Sequence, residues 1–552
     1  MQYVSKNPIK TLKSVPNVSD NVSTGLLIQG GFIRQELAGA YHFLPLGLKV
    51  LRNIENIVRE EMDAIGAHEL LMPALCRKES WDKTDRWDNV DVLFKLDGHG
   101  NTKYALSPTH EESVTPLIKE FVQSYKDLDF GVYQIQDKFR NEARAKSGIL
   151  RGREFWMKDL YSFHKTEESM QEYYEMVAQA YKKIFDRLGI GDITKVATAD
   201  GGAFTDKYSH EFQTLLPIGE DIICFDESGY CANLEVAEGQ SDDKNSDEAE
   251  LKMEKIDAPD VRTIDAMVEF FGKPNWQMIK TVVYKKSDGT FFGISVRGDL
   301  EVNELKVGRI LGRDFEQASE EDLINLGTAR GYVSPIKEDN YDITFYGDNS
   351  LKTVKNFIGG GKQDGVDRIN INLGDMDIKE FGDFTEAKEG FMSPNGEKLR
   401  FEKASEVGNI FRLYTKFSDA FGLSYTDEKG KNNEVLMGCY GIGISRVMGV
   451  IAEAMMDENG LVWPENIAPY THYIMVIGDN LEKAEQLARD LEKKGARVLI
   501  DDRDKKVGFG QKARDADLLG IPYRIVVSPK TLEANSYELK ARNSQETELI
   551  SF

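Results

Sequence analysis

Residues 132–142 alternate in the manner of a strand, Arg151, Arg153 and Phe155 share parity on a returning one, and a polar turn around Ser147 and Gly148 lies between, a pattern that predicts one antiparallel hairpin. Successive strand side chains point to opposite faces, so Arg140 and Glu142 would project together, and Arg151, Arg153 and Phe155 would share a face of the returning strand. Guanidinium forks meet phosphate oxygens bidentately and a phenylalanine face stacks on a base, so such a face suits a nucleotide. A salt-bridged surface hairpin has the same composition, and the residues alone leave both readings open.

Charge makes the hairpin stand out. The chain has 70 Lys and Arg against 93 Asp and Glu, a formal net charge of −23, which argues against indiscriminate polyanion binding but permits a local basic groove. Between residues 138 and 158, Lys138, Arg140, Arg144, Lys146, Arg151, Arg153 and Lys158 face only Glu142 and Glu154, a local +5. From 467 to 552 fourteen basic residues balance fourteen acidic ones, so the first part of the chain carries the whole deficit.

With about 150 residues per domain as a prior, 552 residues predict three or four units. Apolar residues at three- and four-residue spacing predict amphipathic helices over 46–65 and over a run that follows Thr166 as N-cap and stops at Gly189. Residues 242–260 hold eight acidic residues and three lysines with few apolar ones, and read as a solvated boundary before an α/β module of about 150 residues. After a linker at 467–470, strands at 473–477, 497–500 and 523–527 alternate with helices at 480–494 and 511–519, the pattern of a small, largely parallel α/β domain. No stretch is long and apolar enough for a membrane span, and residues 1–21 lack the apolar centre of a signal peptide, so a cytoplasmic protein is expected. Four scattered cysteines, Cys76, Cys224, Cys231 and Cys439, suit neither a disulfide framework nor a structural zinc site.

Phe139-Arg140-Asn141-Glu142, followed by Arg151, Phe155 and Asp159 at four-residue intervals, resembles the second signature of class II aminoacyl-tRNA synthetases. Residues 438–446, Gly-Cys-Tyr-Gly-Ile-Gly-Ile-Ser-Arg, resemble the third: Gly441 and Gly443 let a ligand approach the backbone, and Arg446 opens a helical run to 456. A dinucleotide fingerprint would need glycine where Arg446 stands. Residues 106–112, 133–136, 157–164, 209–212 and 437–446 together narrow the likeness, over nearly the whole chain, to bacterial-type prolyl-tRNA synthetases. Threonyl or seryl relatives share the ATP motifs without the 109–112 loop and the insertion. A catalytically silent tRNA-binding relative would have lost Arg140, Arg151 or Arg446, and a free-standing deacylase would not carry both motifs.

The resemblance implies an α+β multidomain fold: a class II antiparallel sheet with helices over 1–225 and 406–466, an inserted α/β editing-like domain over 226–405, and an α/β anticodon-binding domain over 467–552. It implies activation of proline by ATP with Mg2+, transfer to tRNA(Pro), and a homodimer without membrane attachment. Thr109 and Glu111 would receive the ring ammonium of proline, with His210 and Phe212 shaping its pocket. Arg140 would bridge the proline carboxylate and the α-phosphate, Arg151 and Arg446 would hold the outer phosphates, Glu142 the adenosine and Phe155 the base. Glu406 is the candidate magnesium ligand, Arg144 the candidate contact to the acceptor end, and Asp502, Arg503, Lys505 and Lys506 the candidate anticodon contacts. Cys439 reads as a small packing residue.

A pocket sized for proline rejects smaller alanine weakly, since each missing methylene is worth about 1–3 kcal/mol, so a hydrolytic second site is useful. The insertion resembles such a site, with Lys280, Gly331, Pro335 and Asp348 at family positions and Asp367 where a histidine is expected.

Overall fold

The alternating stretch forms the strand Phe130–Phe139, which runs antiparallel to Glu154–His164 with Val132 opposite Tyr161 and Phe139 opposite Glu154. The computed structural model describes residues 2–15, 21–145, 147–202, 204–205, 207–504 and 506–552. At the turn the first strand stops sooner than alternation suggests, at Phe139, and the second starts later, at Glu154. Arg140 N–H still donates to Arg153 O at 2.8 Å, but Arg153 N–H turns to Gly39 O at 2.7 Å, and the chain between them leaves the sheet. The shared strand face expected for Arg140 and Glu142 therefore does not exist, because the backbone bonds of that segment go to the neighbouring loop.

Glu154–His164 is paired on its other side with Leu436–Ile442, where Asp159 faces Gly441, and Leu436–Ile442 pairs in turn with residues 408–414 of the strand Arg400–Tyr414. The second and third signatures are thus neighbours on an antiparallel sheet. Met437, Phe163, Tyr161, Val132, Leu413 and Val114 pack into one buried cluster beneath it. Each such side chain contributes about 1.5–3 kcal/mol on burial. The helices Pro45–Ala64 and Glu167–Arg187 form as their periodicity predicts, the second capped by Thr166, whose hydroxyl accepts from Ser169 N–H at 3.2 Å. Arg187 joins them through Glu60 and Glu61 at 2.5 and 2.7 Å.

The terminal part has the expected parallel strands Val498–Asp501, His472–Val476 and Tyr523–Val527. Antiparallel strands Ser536–Ala541 and Glu548–Ser551 extend one edge, and Gln2–Tyr3, from the other end of the chain, pairs with the opposite edge. These parts and the synthetase-like sheet form one compact unit, residues 1–195, 201–216 and 405–552.

A second unit comprises 196–200 and 217–404. Its larger sheet contains Ile279–Lys285, Phe291–Arg297, Thr344–Asp348 and Glu380–Gly382, and a smaller one contains Glu254–Asp257, Val366–Ile371 and Phe357–Gly360. Glu254–Asp257 lies within the acidic stretch read as a boundary, which is tied into this unit by backbone pairing with residues 366–369. Among the described residues no helix is long and apolar enough to cross a membrane.

Candidate active site

The helix Glu111–Lys119 begins with Glu111 and Glu112, where the helix dipole favours carboxylates, yet both are buried to within 1% of full enclosure. Glu111 accepts from Thr109 Oγ1 at 2.5 Å, Cys439 Sγ at 3.2 Å and Arg86 Nη1 at 3.4 Å. Arg86 also donates to Glu112 Oε1 at 2.9 Å, and its guanidinium lies over the rings of Trp81, Phe204 and Phe417 at 5.3, 5.0 and 5.4 Å. Burial pushes the Glu112 carboxyl up to about 7 against the pull of Arg86. Thr109 and Glu111 are therefore a bonded pair at a helix start rather than two positions on an extended loop.

A polar layer underlies that pair. Asp159 lies 2.7 Å from Lys138 Nζ and accepts from Gln134 Nε2 at 2.9 Å and Tyr161 OH at 3.0 Å. Tyr161 OH accepts the backbone N–H of His110 at 2.9 Å, which fixes the turn that presents Thr109. Desolvation holds His110 down at about 4, so its ring is neutral. Arg86, Glu112, Lys138 and Lys158 were missed by sequence reasoning; the one signal for the lysines was their place in the basic island. Lys158 is buried against Tyr440 O at 2.9 Å and the Tyr181 hydroxyl, and burial lowers its ammonium to about 7.

The arginines of the two signatures converge. Arg140 lies with its guanidinium 5.2 Å from the Phe155 ring centroid. Burial first and Arg446 second lower its pKa, while Glu406, Glu142 and Glu111 oppose them, so all these groups share one electrostatic environment. Arg446, on the helix Ile444–Met455, donates to Leu150 O at 2.7 Å and to Glu406 O and Oε2 at 2.8 and 3.2 Å. Arg151 donates to Glu142 Oε2 at 2.8 Å, and Arg153 Nε donates to Glu142 O at 2.9 Å. A Cβ at Gly441 would meet nothing nearer than Met157 Sδ at 3.8 Å, so the space above this glycine is open to a ligand rather than filled by protein. At Gly443 the same addition would meet Arg446 Cβ at 3.2 Å.

Other candidates fall elsewhere. His210 Nδ1 lies 2.7 Å from the Tyr174 hydroxyl, and Phe212 is enclosed with Tyr181 and Phe185 in an aromatic cluster. Arg144 is exposed, and Lys146 lies outside the described residues. In the terminal domain Arg503 is held by Asp501 and Asp515, each at 2.7 Å, and Asp502 accepts from Ser5 at 2.6 Å, so this turn is tied to its own domain and to the start of the chain; Lys505 lies outside the described residues. Among the described residues no group of three or more His, Cys, Asp and Glu could hold a metal.

In the second unit, Lys280 and Gly331 line one cavity of about 440 Å3, along the edge of the strand Ile279–Lys285. Gly331 has φ +92° and a Cβ there would lie 2.5 Å from Arg262 O, so the loop demands glycine. Pro335 is buried. Asp348 departs from the expected cluster: it lines a different cavity and its carboxylate accepts from Ser350 N–H and Phe384 N–H, both at 2.8 Å. Lys280 Nζ donates to Glu301 at 2.5 Å and Leu300 O at 3.0 Å. Asp367 is fully buried, among the described residues neither carboxylate oxygen has a hydrogen-bond partner, and burial pushes it up to about 7.

Comparison with known proteins identifies the family. Residues 94–455 match the tRNA synthetase class II core domain (G, H, P, S and T), and residues 471–552 match the anticodon binding domain. The chain is 42% identical over 554 residues to proline–tRNA ligase of Bacillus subtilis (strain 168), covering 98% of this chain and 97% of the relative. It is 42% identical over 552 residues to that of Persephonella marina (strain DSM 14350 / EX-H1), with the same coverage. The fold is shared with prolyl-tRNA synthetase from Cryptosporidium parvum, complexed with L-proline and AMP, at a TM-score of 0.58 and 14% identity over 98% of this chain and 74% of that one. The Giardia lamblia enzyme in complex with prolyl-adenylate gives 0.57 and 16% over 95% and 73%. The signature arginines, the sheet that gathers them and these likenesses along almost the full length lead to one assignment: the chain belongs to the proline–tRNA ligase family of class II aminoacyl-tRNA synthetases.

Proposed function

We propose that this chain activates proline with ATP and transfers the prolyl group to tRNA(Pro), acting in the cytoplasm as a homodimer. The observation that carries the reading is the shared environment of Arg140, Arg446, Glu142, Glu406 and Glu111 beside the Thr109–Glu111 pair. In the first step a proline carboxylate oxygen attacks the α-phosphorus, and the bond to the leaving pyrophosphate breaks with its electron pair. No protein nucleophile is needed, so the protein positions the reactants and stabilises charge. Arg140 serves the carboxylate and α-phosphate, Arg151 and Arg446 the outer phosphates, Glu142 the adenosine, and Phe155 the base. Glu111, held by Thr109, Cys439 and Arg86, faces the ring ammonium with a fixed carboxylate. In the second step the terminal ribose hydroxyl of tRNA attacks the acyl carbonyl and AMP leaves; Arg144 guides the acceptor end.

Magnesium keeps several waters and takes one or two carboxylates beside substrate phosphates, and Glu406, whose carboxylate meets Arg446 through Oε2, fits as one such ligand. The ion neutralises phosphate charge when bound. Amino-acid-dependent exchange of pyrophosphate into ATP, run across all twenty amino acids, tests the proposal: proline alone should support fast exchange, and preference for another amino acid overturns it.

The cavity shared by Lys280 and Gly331 favours a second activity, hydrolysis of alanyl-tRNA(Pro) by the insertion. Purified protein should clear alanyl-tRNA. If it leaves that substrate untouched while a control deacylase removes it, the insertion is structural.

A further inference from the structure

The linker before the terminal domain borders a cavity of about 440 Å3 that the reactions above do not use. Its wall includes Lys49 and Asn53 of the helix Pro45–Ala64, Tyr470 of the linker, Arg497 and Glu492 of the terminal domain, and Gln2. Lys49 Nζ donates to the Tyr470 hydroxyl at 2.7 Å and lies 3.9 Å from that ring's centroid. That hydroxyl in turn donates to Gln2. Asn53 spends its amide on Ile467 O and Ala468 O, both at 3.1 Å.

Arg497 Nη2 donates to Glu465 O at 2.6 Å and Ala468 O at 3.2 Å, while its buried Nε–H has no acceptor among the described residues. Neither Lys49 nor Arg497 has a carboxylate within ion-pair distance among the described residues. Burial and the nearby Arg497 both lower the Lys49 pKa, and burial lowers that of Arg497 against the pull of Glu465, so two like charges lie close together in a partly desolvated wall. Among the described residues of the wall Glu492 is the one carboxylate beside Lys49 and Arg497, and together these three carry a net positive charge. Donors in excess of acceptors around a polar cavity call for a ligand that only accepts, and a tetrahedral oxyanion does so on every face.

We infer that this cavity binds a phosphate group between Lys49 Nζ and the guanidinium of Arg497. The same chemistry is offered by the backbone of a bound tRNA and by free inorganic phosphate. With the ATP site filled by a non-hydrolysable ATP analogue, inorganic phosphate titrated calorimetrically at low salt should bind saturably, and Lys49→Gln and Arg497→Gln should each weaken it tenfold or more. Proline-dependent exchange should stay near normal in Lys49→Gln, which shows that the fold survives. For tRNA(Pro), the slope of log affinity against log salt should fall by about one in Lys49→Gln if the phosphate belongs to the backbone. An unchanged slope with lost phosphate binding assigns the site to the free anion. Phosphate binding that is absent from the wild type or survives both substitutions, together with an unchanged tRNA slope, overturns the site.

Discussion

The thiol of Cys439 donates to Glu111 Oε1 at 3.2 Å and so joins residues 328 positions apart, the glycine-rich strand and the helix start that faces the proposed proline site. The thiol is buried, and burial with the adjacent Glu111 charge raises its pKa well above the usual range. Cys439→Ala should therefore raise KM for proline in the exchange assay several-fold with kcat less affected, while Cys439→Ser, which keeps a donor, should restore much of the loss. Equal kinetics in the alanine variant would show that Glu111 does not depend on this bond.

Among the described residues Arg140 makes no ion pair with a carboxylate, and burial and Arg446 both act against its charge more strongly than Glu406, Glu142 and Glu111 support it. A site of that kind gains most when a phosphate arrives. Arg140→Ala should lower exchange about a hundredfold or more with an unchanged circular dichroism spectrum. Near-normal exchange would remove Arg140 from the mechanism.

Arg86 holds two buried carboxylates and packs on three rings. Arg86→Met leaves Glu111 and Glu112 without their cation, which should cost about 3–5 kcal/mol in urea titrations followed by tryptophan fluorescence. Arg86→Lys should fall between, because lysine keeps charge without the planar fork. A loss below about 1 kcal/mol in the methionine variant would contradict this role.

Asp367 has a folded-state pKa of about 7, raised by burial, above the value near 3.9 of an unfolded chain. Between those values the native state holds a proton that the unfolded state has released, so stability falls as pH rises from about 4 to 7, by roughly 4 kcal/mol in full. Asp367→Asn should abolish that slope and make the second unit more stable than wild type at pH 8. Hydrogen exchange across Val366–Ile371 is the measurement; equal protection in both proteins at pH 8 would refute the assignment.

Much of the architecture was legible locally. The periodicities of 46–65 and 473–527 each gave helices or strands within a few residues, because 3.6- and 2-residue repeats follow from backbone geometry. The signature arginines were legible as types and spacings, although not as a strand face, since loop 140–153 takes its backbone partners from Gly39 and Val92. Asp348 matched by position alone, and capping the turn Asn349–Thr353 claims its carboxylate.

What the sequence determined by itself is the kind of chain this is: order of motifs, domain succession and the residues able to meet phosphate. Only the tertiary structure decided that Cys439 and Arg86 serve Glu111, that Gln2–Tyr3 completes the terminal sheet, and that Lys280 and Asp348 line different cavities. The reason is physical. Local patterns are written by the repeat of the backbone, whereas a buried charge takes its partner from whichever distant segment packing brings within about 3 Å, and no spacing along the chain encodes that choice.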